Sequence, residues 1–353
     1  MSFSFLRAPA PLIAALTSIL VASLAVSACG QEGIVAATSG TTSTDTGGSG
    51  GTGGAGGTGT AGTIGTGGAE TPMPLKVLNW NLHNFFNTTK DTSFENEFVL
   101  NGTEYAQKLA AVGKILNELQ PDVAILPEVE NEGILNELNK TQLGNAYTVA
   151  VPETNDFRGL DIGVLTKLPI VDLVSHKDDS FKRLDLAGGP AYKYSRDALE
   201  IHFNYNGREV ILLGVHYRSK GTGSAETDDK DKRMAEAQHT RAIADALMKE
   251  NPKRAIVILG DYNDLPGSPP VNWTLQGDPK NSPKVVFESA TDAISQDLRY
   301  TFVYNGTKEL IDHQIANPLL GGMIDPQNVM IRHGNDVEDA SDHFPLMTTY
   351  NIQ

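Results

Sequence analysis

Apolar residues in this chain gather into short runs, and most of these runs close on a polar residue. Residues 255–259 form the strongest one. Five apolar positions in succession, preceded by Arg254, read as a strand buried on both faces. The run ends in Gly260, and Asp261 and Asn263 follow. Residues 75–78, 123–126 and 210–215 behave alike and lead to Asn81, Glu128 and His216, while residues 310–315 carry Asp312 inside the run. Between them lie helical spacings. Residues 105–119 put Leu109, Val112, Ile115, Leu116 and Leu119 on one face and stop before Pro121. Residues 131–143 read as a helix, and residues 233–250 as a longer one with Ala237, Ile243, Ala244 and Leu247 toward the core. Residues 161–165 and 200–203 read as strands, Asn206-Gly207 as a hairpin turn, and residues 221–231 as a polar loop. Strands alternate with helices but hairpins interrupt them, which predicts mixed rather than purely parallel sheets.

The first seventy residues follow other rules. Residues 1–28 hold one early cation, Arg7, then an apolar run from Leu12 to Val26, and read as a secretory signal. Val26-Ser27-Ala28-Cys29-Gly30 resembles a bacterial lipobox, which makes Cys29 the candidate lipidation site and membrane contact. Gly30 after that cysteine matches the sorting rule for a Gram-negative outer membrane or cell surface. Cys29 is the one cysteine in 353 residues, so no disulfide forms within the chain. Residues 29–71 form a Gly, Thr and Ser-rich tether with too little apolar surface to order itself. Residues 72–353 are long enough for one large domain. The net charge of −15 argues against a protein that coats nucleic acid, though not against one that cuts it with weak, salt-sensitive binding.

Polar residues at strand ends are where α/β sheets place their chemistry. Asp261 and Asn263 lie two apart, so a carboxylate and an amide face one spot. Glu128 reads either as a solvated strand-end acid or, with Asn81, as a ligand for Mg²⁺, which takes oxygen donors. His343, in Ser341-Asp342-His343-Phe344-Pro345, is the candidate general base, with Asp312 available to orient its ring. Asp261 is a second candidate to position or deprotonate the water. Asp161 is a candidate partner for His216, or a plain strand-edge acid. Arg196 reads as a phosphate grip or as the salt-bridge partner of Asp197. His202 reads as structural, and His313 as facing away from Asp312. Trp80, Phe85 and Phe86 read as core or rim.

Taken in order, Trp80-Asn81, Pro127-Glu128, His216, Gly260-Asp261-Tyr262-Asn263, Ile311-Asp312-His313 and Ser341-Asp342-His343-Phe344-Pro345 resemble the endonuclease/exonuclease/phosphatase superfamily. The resemblance runs from about Leu75 to Tyr350. Residues 215–220 and 260–264 are most similar to secreted bacterial nucleases, and Tyr194-Ser195-Arg196-Asp197 resembles the arginine motif of deoxyribonuclease I. The resemblance implies a four-layer α/β/β/α sandwich of two mixed sheets flanked by helices. It also implies a metal held by Asn81, Glu128 and Asp342, with Mg²⁺ expected and Mn²⁺ or Ca²⁺ as alternatives. Catalysis would fall to His216, Asp261, Asn263, Asp312 and His343, with Asn81, Asn263 and Arg196 on substrate phosphate. Apurinic endonucleases carry a tyrosine in the region of His216, so abasic-site repair is disfavoured.

Three functions follow. The first is an anchored nuclease acting on DNA or RNA. The second is a phosphatase or phospholipid phosphodiesterase of the same superfamily. The third is a non-catalytic surface protein, which the full set of polar residues argues against. No protein partner is evident in the sequence.

Overall fold

Two sheets of six strands each account for the apolar runs. The computed structural model describes residues 71–90, 98–221 and 225–353, with side chains from 227 onward in the last segment. All belong to one compact unit, Gly65–Gln353. Cys29, the signal and nearly all of the tether lie outside the described residues. In chain order the first strands are β1 (Met73–Asn79), β2 (Val123–Val129), β3 (Thr148–Ala150), β4 (Asp161–Thr166) and β5 (Asp172–Ser175). Next come β6 (Ala198–Tyr205), β7 (Arg208–His216), β8 (Ala255–Asp261) and β9 (Glu288–Ser289). The last are β10 (Phe302–Tyr304), β11 (Thr307–Glu309), β12 (Asp312–Ala316), β13 (Ile324–Ile331) and β14 (Leu346–Ile352). The main helices are α1 (Gly102–Leu119), α2 (Glu132–Thr141), α3 (Ala225–Glu250) and α4 (Pro269–Gln276).

One sheet runs β13-β14-β1-β2-β4-β3 and the other β5-β6-β7-β8-β12-β9, while β10 and β11 pair by themselves. Each large sheet has one parallel pair, β1 with β2 and β7 with β8, and is otherwise antiparallel. The parallel pairs need crossovers, and α1 and α3 supply them.

Alternation along each strand divides its apolar residues between two cores. In β8, Val257 and Leu259 join Val77, Ile125, Val164 and Leu212 in the layer between the sheets. Ile256 and Ile258 instead pack with Ala235, Ala237 and Ala244 of α3. On the other sheet, Ala124 and Leu126 pack with Val112, Ile115 and Leu116 of α1 and with Leu135 and Leu138 of α2. This is the expected α/β/β/α sandwich. Burying each such Leu or Ile contributes about 1.5–3 kcal/mol, so the three cores carry most of the stability.

Local signals set the element ends. Asn101 caps α1, accepting from the N–H groups of Thr103 and Glu104 at 3.0 Å each, and the Glu104 carboxylate reaches back to the Asn101 N–H at 3.1 Å. Asn206 and Gly207, with φ of 47° and 71°, make the tight turn between β6 and β7. One expectation fails. Residues 225–231, read as part of a polar loop, are the first turns of α3. That segment is charged and nearly without apolar residues, so it shows no periodicity to read.

The open edge of β5 and β6 is held by a chain of alternating imidazoles and carboxylates. His239 Nε2 meets Asp179 Oδ2 at 2.9 Å, and the same oxygen meets His176 Nδ1 at 3.0 Å. His176 Nε2 meets Glu200 Oε2 at 3.0 Å; Glu200 also meets His202, which reaches Glu209 at 3.0 Å, and Glu209 pairs with Arg254 at 2.9 Å. Both ring nitrogens of His176 face carboxylate oxygens, so both must donate, which requires the imidazolium. Burial alone would lower the pKa of His176, but its hydrogen bonds to Glu200 and Asp179 and their charges raise it. Its folded-state pKa therefore lies above the ordinary value of about 6.5. The stability it contributes is fully present below that ordinary value and is lost as pH rises through the folded-state pKa. Urea unfolding of wild type and His176→Gln should show a gap of about 1 kcal/mol at pH 6 that narrows by pH 9. A gap that is constant or grows with pH would contradict the protonated ring.

Candidate active site

The inter-sheet face of each strand is apolar along its length and polar at one end. On β1, Leu75 and Val77 are followed in the same alternation by Asn79 and Asn81; on β8, Val257 and Leu259 by Asp261; on β7, Val210 and Leu212 by His216. Asp312 takes the same face of β12 as Ala316. His313 points the other way, where its Nε2 meets the Asp264 carbonyl at 2.9 Å and its ring meets Tyr262 edge-on.

Glu128 breaks the alternation. Counting by twos from Ala124 and Leu126 would turn it toward α1. The β2–β4 register instead shifts between Pro127 and Val129, and Glu128 takes φ of 66°. This β-bulge moves Val129 into the helix-side core and frees Glu128 to aim at the inter-sheet cleft. Its carboxylate then accepts from the Asn84 N–H at 2.8 Å and the Asn81 amide at 3.3 Å. His83, Asn84 and Asn263 also hold positive φ. Gly260 has φ of 134°, and a Cβ there would lie 2.0 Å from the Val215 carbonyl oxygen, so no side chain fits between β7 and Asp261.

Five of the expected residues meet here directly. Asn81 Nδ2 donates to Asp261 Oδ2 at 3.0 Å as well as to Glu128, while its Oδ1 accepts the His83 N–H at 2.8 Å. His216 Nε2 lies 3.5 Å from Asp261 Oδ2 and 3.8 Å from Glu128 Oε1. Asn263 gives its N–H to Asp261 Oδ1 at 2.7 Å and its side-chain amide to the Tyr217 carbonyl at 3.1 Å.

Asp312 and His343 form the expected pair, Oδ2 to Nδ1, at 2.8 Å. The loop that delivers His343 is pinned to the end of β1. Trp80 Nε1 donates to the His343 carbonyl at 2.8 Å, Ser341 Oγ donates to the Asn81 carbonyl at 2.7 Å, and the His343 N–H returns to Ser341 Oγ at 3.1 Å. Trp80 is thus core and brace at once.

The charges sort themselves by surroundings. Burial pulls the His343 pKa down, but the charge and hydrogen bond of Asp312, with Asp261 and Asp342, overcome it and push the ring up to about 10. Burial and the Asp312 charge push Asp261 upward, against His343, the Asn263 N–H and the Asn81 amide. Burial would also raise Glu128, yet it is held at about 2 by His216, Arg158, the Asn84 N–H and Arg196. Burial and Arg196 push the His216 imidazole well down, however, so at neutral pH that ring carries no charge to act on Glu128. The two arginines and the Asn84 N–H are the influences that survive this conflict.

Asp312, Asp261 and Asp342 raise the proton affinity of the His343 ring, and burial with Asp312 raises that of Asp261, so both groups stand where a proton from water could go. Several expectations need correction. Asp161 does not orient His216. Its Oδ1 accepts the Thr154 N–H at 2.7 Å, and burial pushes its carboxyl up to about 7. Arg196 is buried, giving Nε to Asp156 at 2.8 Å and Nη1 to the Tyr217 carbonyl at 3.2 Å. Asp197 is not its partner; that acid accepts from Ser175 Oγ and the His176 N–H. Asn81 turns its amide nitrogen, not its oxygen, to Glu128, because two carboxylates demand a donor. Asp342 stands on the exposed rim, 3.5 Å from His83 Nδ1 and 3.9 Å from His343 Nε2.

Sequence reasoning gave no role to Lys108, which reaches from α1 to the His83 carbonyl at 2.7 Å. Burial pushes its pKa down to about 8, against Asp342 and Glu128. Asp156 was missed too, although its place in a polar turn beside Arg158 was a signal.

The donor set suits a hard cation. Among the described residues, ligand atoms of Asp261, Asp312 and His343 all lie within 4.8 Å of one another. Asp312 Oδ1 is buried and meets no hydrogen-bond donor there. Glu128 adds a carboxylate that stays ionised.

The sequence model of the endonuclease/exonuclease/phosphatase family matches residues 76–335. The chain belongs to that family. No curated protein sequence matches it. Solved structures share the fold at low identity. Truncated TDP2 of Caenorhabditis elegans superposes with TM-score 0.52 at 15% identity, covering 79% of this chain and 98% of that one. A family protein from Bacteroides vulgatus gives 0.53 at 14%, covering 80% and 100%. D. rerio TDP2, complexed with a single-strand DNA product, gives 0.52 at 13%, covering 79% and 99%. Within this family the chemistry is that of nucleases and phosphatases, and the gathered acids and histidines sit where the fold places strand ends.

Proposed function

We propose that this protein is a divalent-cation-dependent phosphodiesterase that hydrolyses nucleic acid, exported and lipid-anchored through Cys29. The observation that carries the reading is the gathering of Asp261, Asp312 and His343 within 4.8 Å of one another at the end of the inter-sheet cleft. Asp261 has its proton affinity raised by burial and by Asp312. His343 has its proton affinity raised by Asp312, which meets Nδ1 at 2.8 Å. A carboxylate of raised pKa accepts a proton from water near neutral pH. An imidazolium beside it donates to a phosphoryl oxygen as negative charge builds there. Asn263 aligns Asp261 through its backbone N–H and offers its amide to the same phosphoryl group. His216, neutral and buried, fills the cleft between Asp261 and Glu128.

Glu128 would hold the cation through its ionised carboxylate, and Mg²⁺ suits such an oxygen donor best. When bound, the ion supplies positive charge against the phosphoryl oxygens. The nucleic-acid part of the reading is supported by the family match and by the single-strand DNA product held by the D. rerio relative. The net charge of −15 makes binding weak and salt-sensitive.

Residues 72–353 should cleave plasmid DNA or RNA with Mg²⁺ and stop when EDTA is added. Asp261→Asn should lose about 10²–10⁴-fold in kcat while unfolding at the wild-type temperature. Activity that persists in EDTA, or a near-wild-type Asp261→Asn, would overturn the reading. In the full chain, Cys29→Ser should leave the membrane fraction or keep its signal peptide, and a mutant that fractionates and migrates like wild type would refute the anchor.

A further inference from the structure

Beside the catalytic cleft, two arginines share one carboxylate. Arg158 grips Asp156 side-on, Nε to Oδ1 at 3.0 Å and Nη2 to Oδ2 at 2.7 Å. Arg196 Nε takes the same Oδ2 at 2.8 Å. The Asp156 side chain is 2% exposed, that of Arg196 8% and that of Arg158 29%. Two cations against one anion leave one positive charge in a largely buried place, and such a charge requires a partner.

The leftover charge faces the cleft. Arg158 Nη1 donates to Asn84 Oδ1 at 3.3 Å, and the Asn84 N–H holds Glu128. A guanidinium has five N–H donors, and the three bonds above leave two of them. Glu128 is the other acid that acts on Arg158. On the function proposed above, Glu128 is committed to a cation, so it no longer balances the arginine. Arg196 has little freedom, being buried with Nη1 on the Tyr217 carbonyl. Arg158, the more exposed of the two and held at one edge by Asp156, is the guanidinium that an incoming anion reaches.

We infer that Arg158 forms a second phosphate subsite, which takes a phosphoryl group next to the scissile one, and that Asp156 is the positioning residue that aims it. This rests on the phosphodiesterase reading and sharpens it. The preferred substrate carries at least two phosphates along one chain. Asp156 sets the side-on edge of the guanidinium, so the planar fork is held before the substrate arrives and little side-chain entropy is lost on binding.

The test compares dithymidine monophosphate with the same dinucleotide bearing a 5′- or a 3′-terminal phosphate. Wild type should favour one phosphorylated form by about 10–100-fold in kcat/KM, expressed in KM, as expected for a charge-assisted hydrogen-bond pair. Arg158→Ala should erase that preference, and Arg158→Lys should restore only part of it, since lysine keeps the charge but not the fork. Asp156→Asn should shrink the preference through KM rather than kcat. No preference in wild type, or the same fractional loss on all three substrates in Arg158→Ala, would overturn the subsite. If none of the three dinucleotides is hydrolysed, plasmid DNA with Mg²⁺ decides the phosphodiesterase reading, which fails if it too stays intact. Calorimetry with inorganic phosphate then judges the subsite alone. Binding to wild type that Arg158→Ala abolishes supports it, and equal binding to both, or none to wild type, refutes it.

Discussion

Charged and polar side chains packed between two β-sheets must satisfy one another, and the active end of this protein is arranged around that demand. Asp261, Asp312, Glu128 and His216 all lie at the mouth of the inter-sheet layer, where water is scarce and an isolated charge costs several kcal/mol. The acids are therefore answered one by one. His343 answers Asp312, the Asn81 amide bridges Asp261 and Glu128, and backbone N–H groups from Asn84 and Asn263 complete the set. A few groups stay partly unanswered, above all Asp312 Oδ1 and the excess charge of the Arg158–Asp156–Arg196 cluster. The second is a place where an anion would complete the balance.

The backbone bends to meet the same demand. Glu128, His83, Asn84 and Asn263 all occupy the left-handed region, at an order of 1–3 kcal/mol for each residue other than glycine. The two asparagines are the residue type that tolerates this best. Glu128 is not, and its conformation persists because the bulge, the Asn84 N–H and the Asn81 amide over-determine it. Below this rim β7 and β8 stay regular, with an unbroken register from Val210 to His216. At the site the left-handed residues fall at strand ends and in the loops just past them, where side chains are aimed rather than packed.

Much of this was legible in the sequence for a simple reason. Strands buried on both faces read as continuous apolar runs, and their polar ends stand out against them. Asn81, His216, Asp261 and Asp312 were found that way, and period-two counting placed Asp312 and His313 on opposite faces. Glu128 was found as a residue but not as a geometry. Counting by twos sends it to the helix side, and only Pro127, which cannot extend the ladder, hinted at the bulge. What sequence order hides is pairing at a distance. Arg196 meets Asp156 across forty residues instead of its neighbour Asp197, and Asp161 meets Thr154 instead of His216. The role of His343 was hidden for the same reason. A histidine near one acid reads as a base, but three acids around it raise its proton affinity.

The protonation state of His343 is therefore the point on which the account turns. NMR of imidazole-¹⁵N-labelled residues 72–353, titrated in metal-free buffer, would read it directly, with Asp312→Asn as the comparison. The account predicts that His343 stays doubly protonated through neutral pH in wild type and titrates several tenths of a unit or more lower in Asp312→Asn. A wild-type ring that is already neutral at pH 7, or one indifferent to Asp312→Asn, would contradict it and return the role of base to His343.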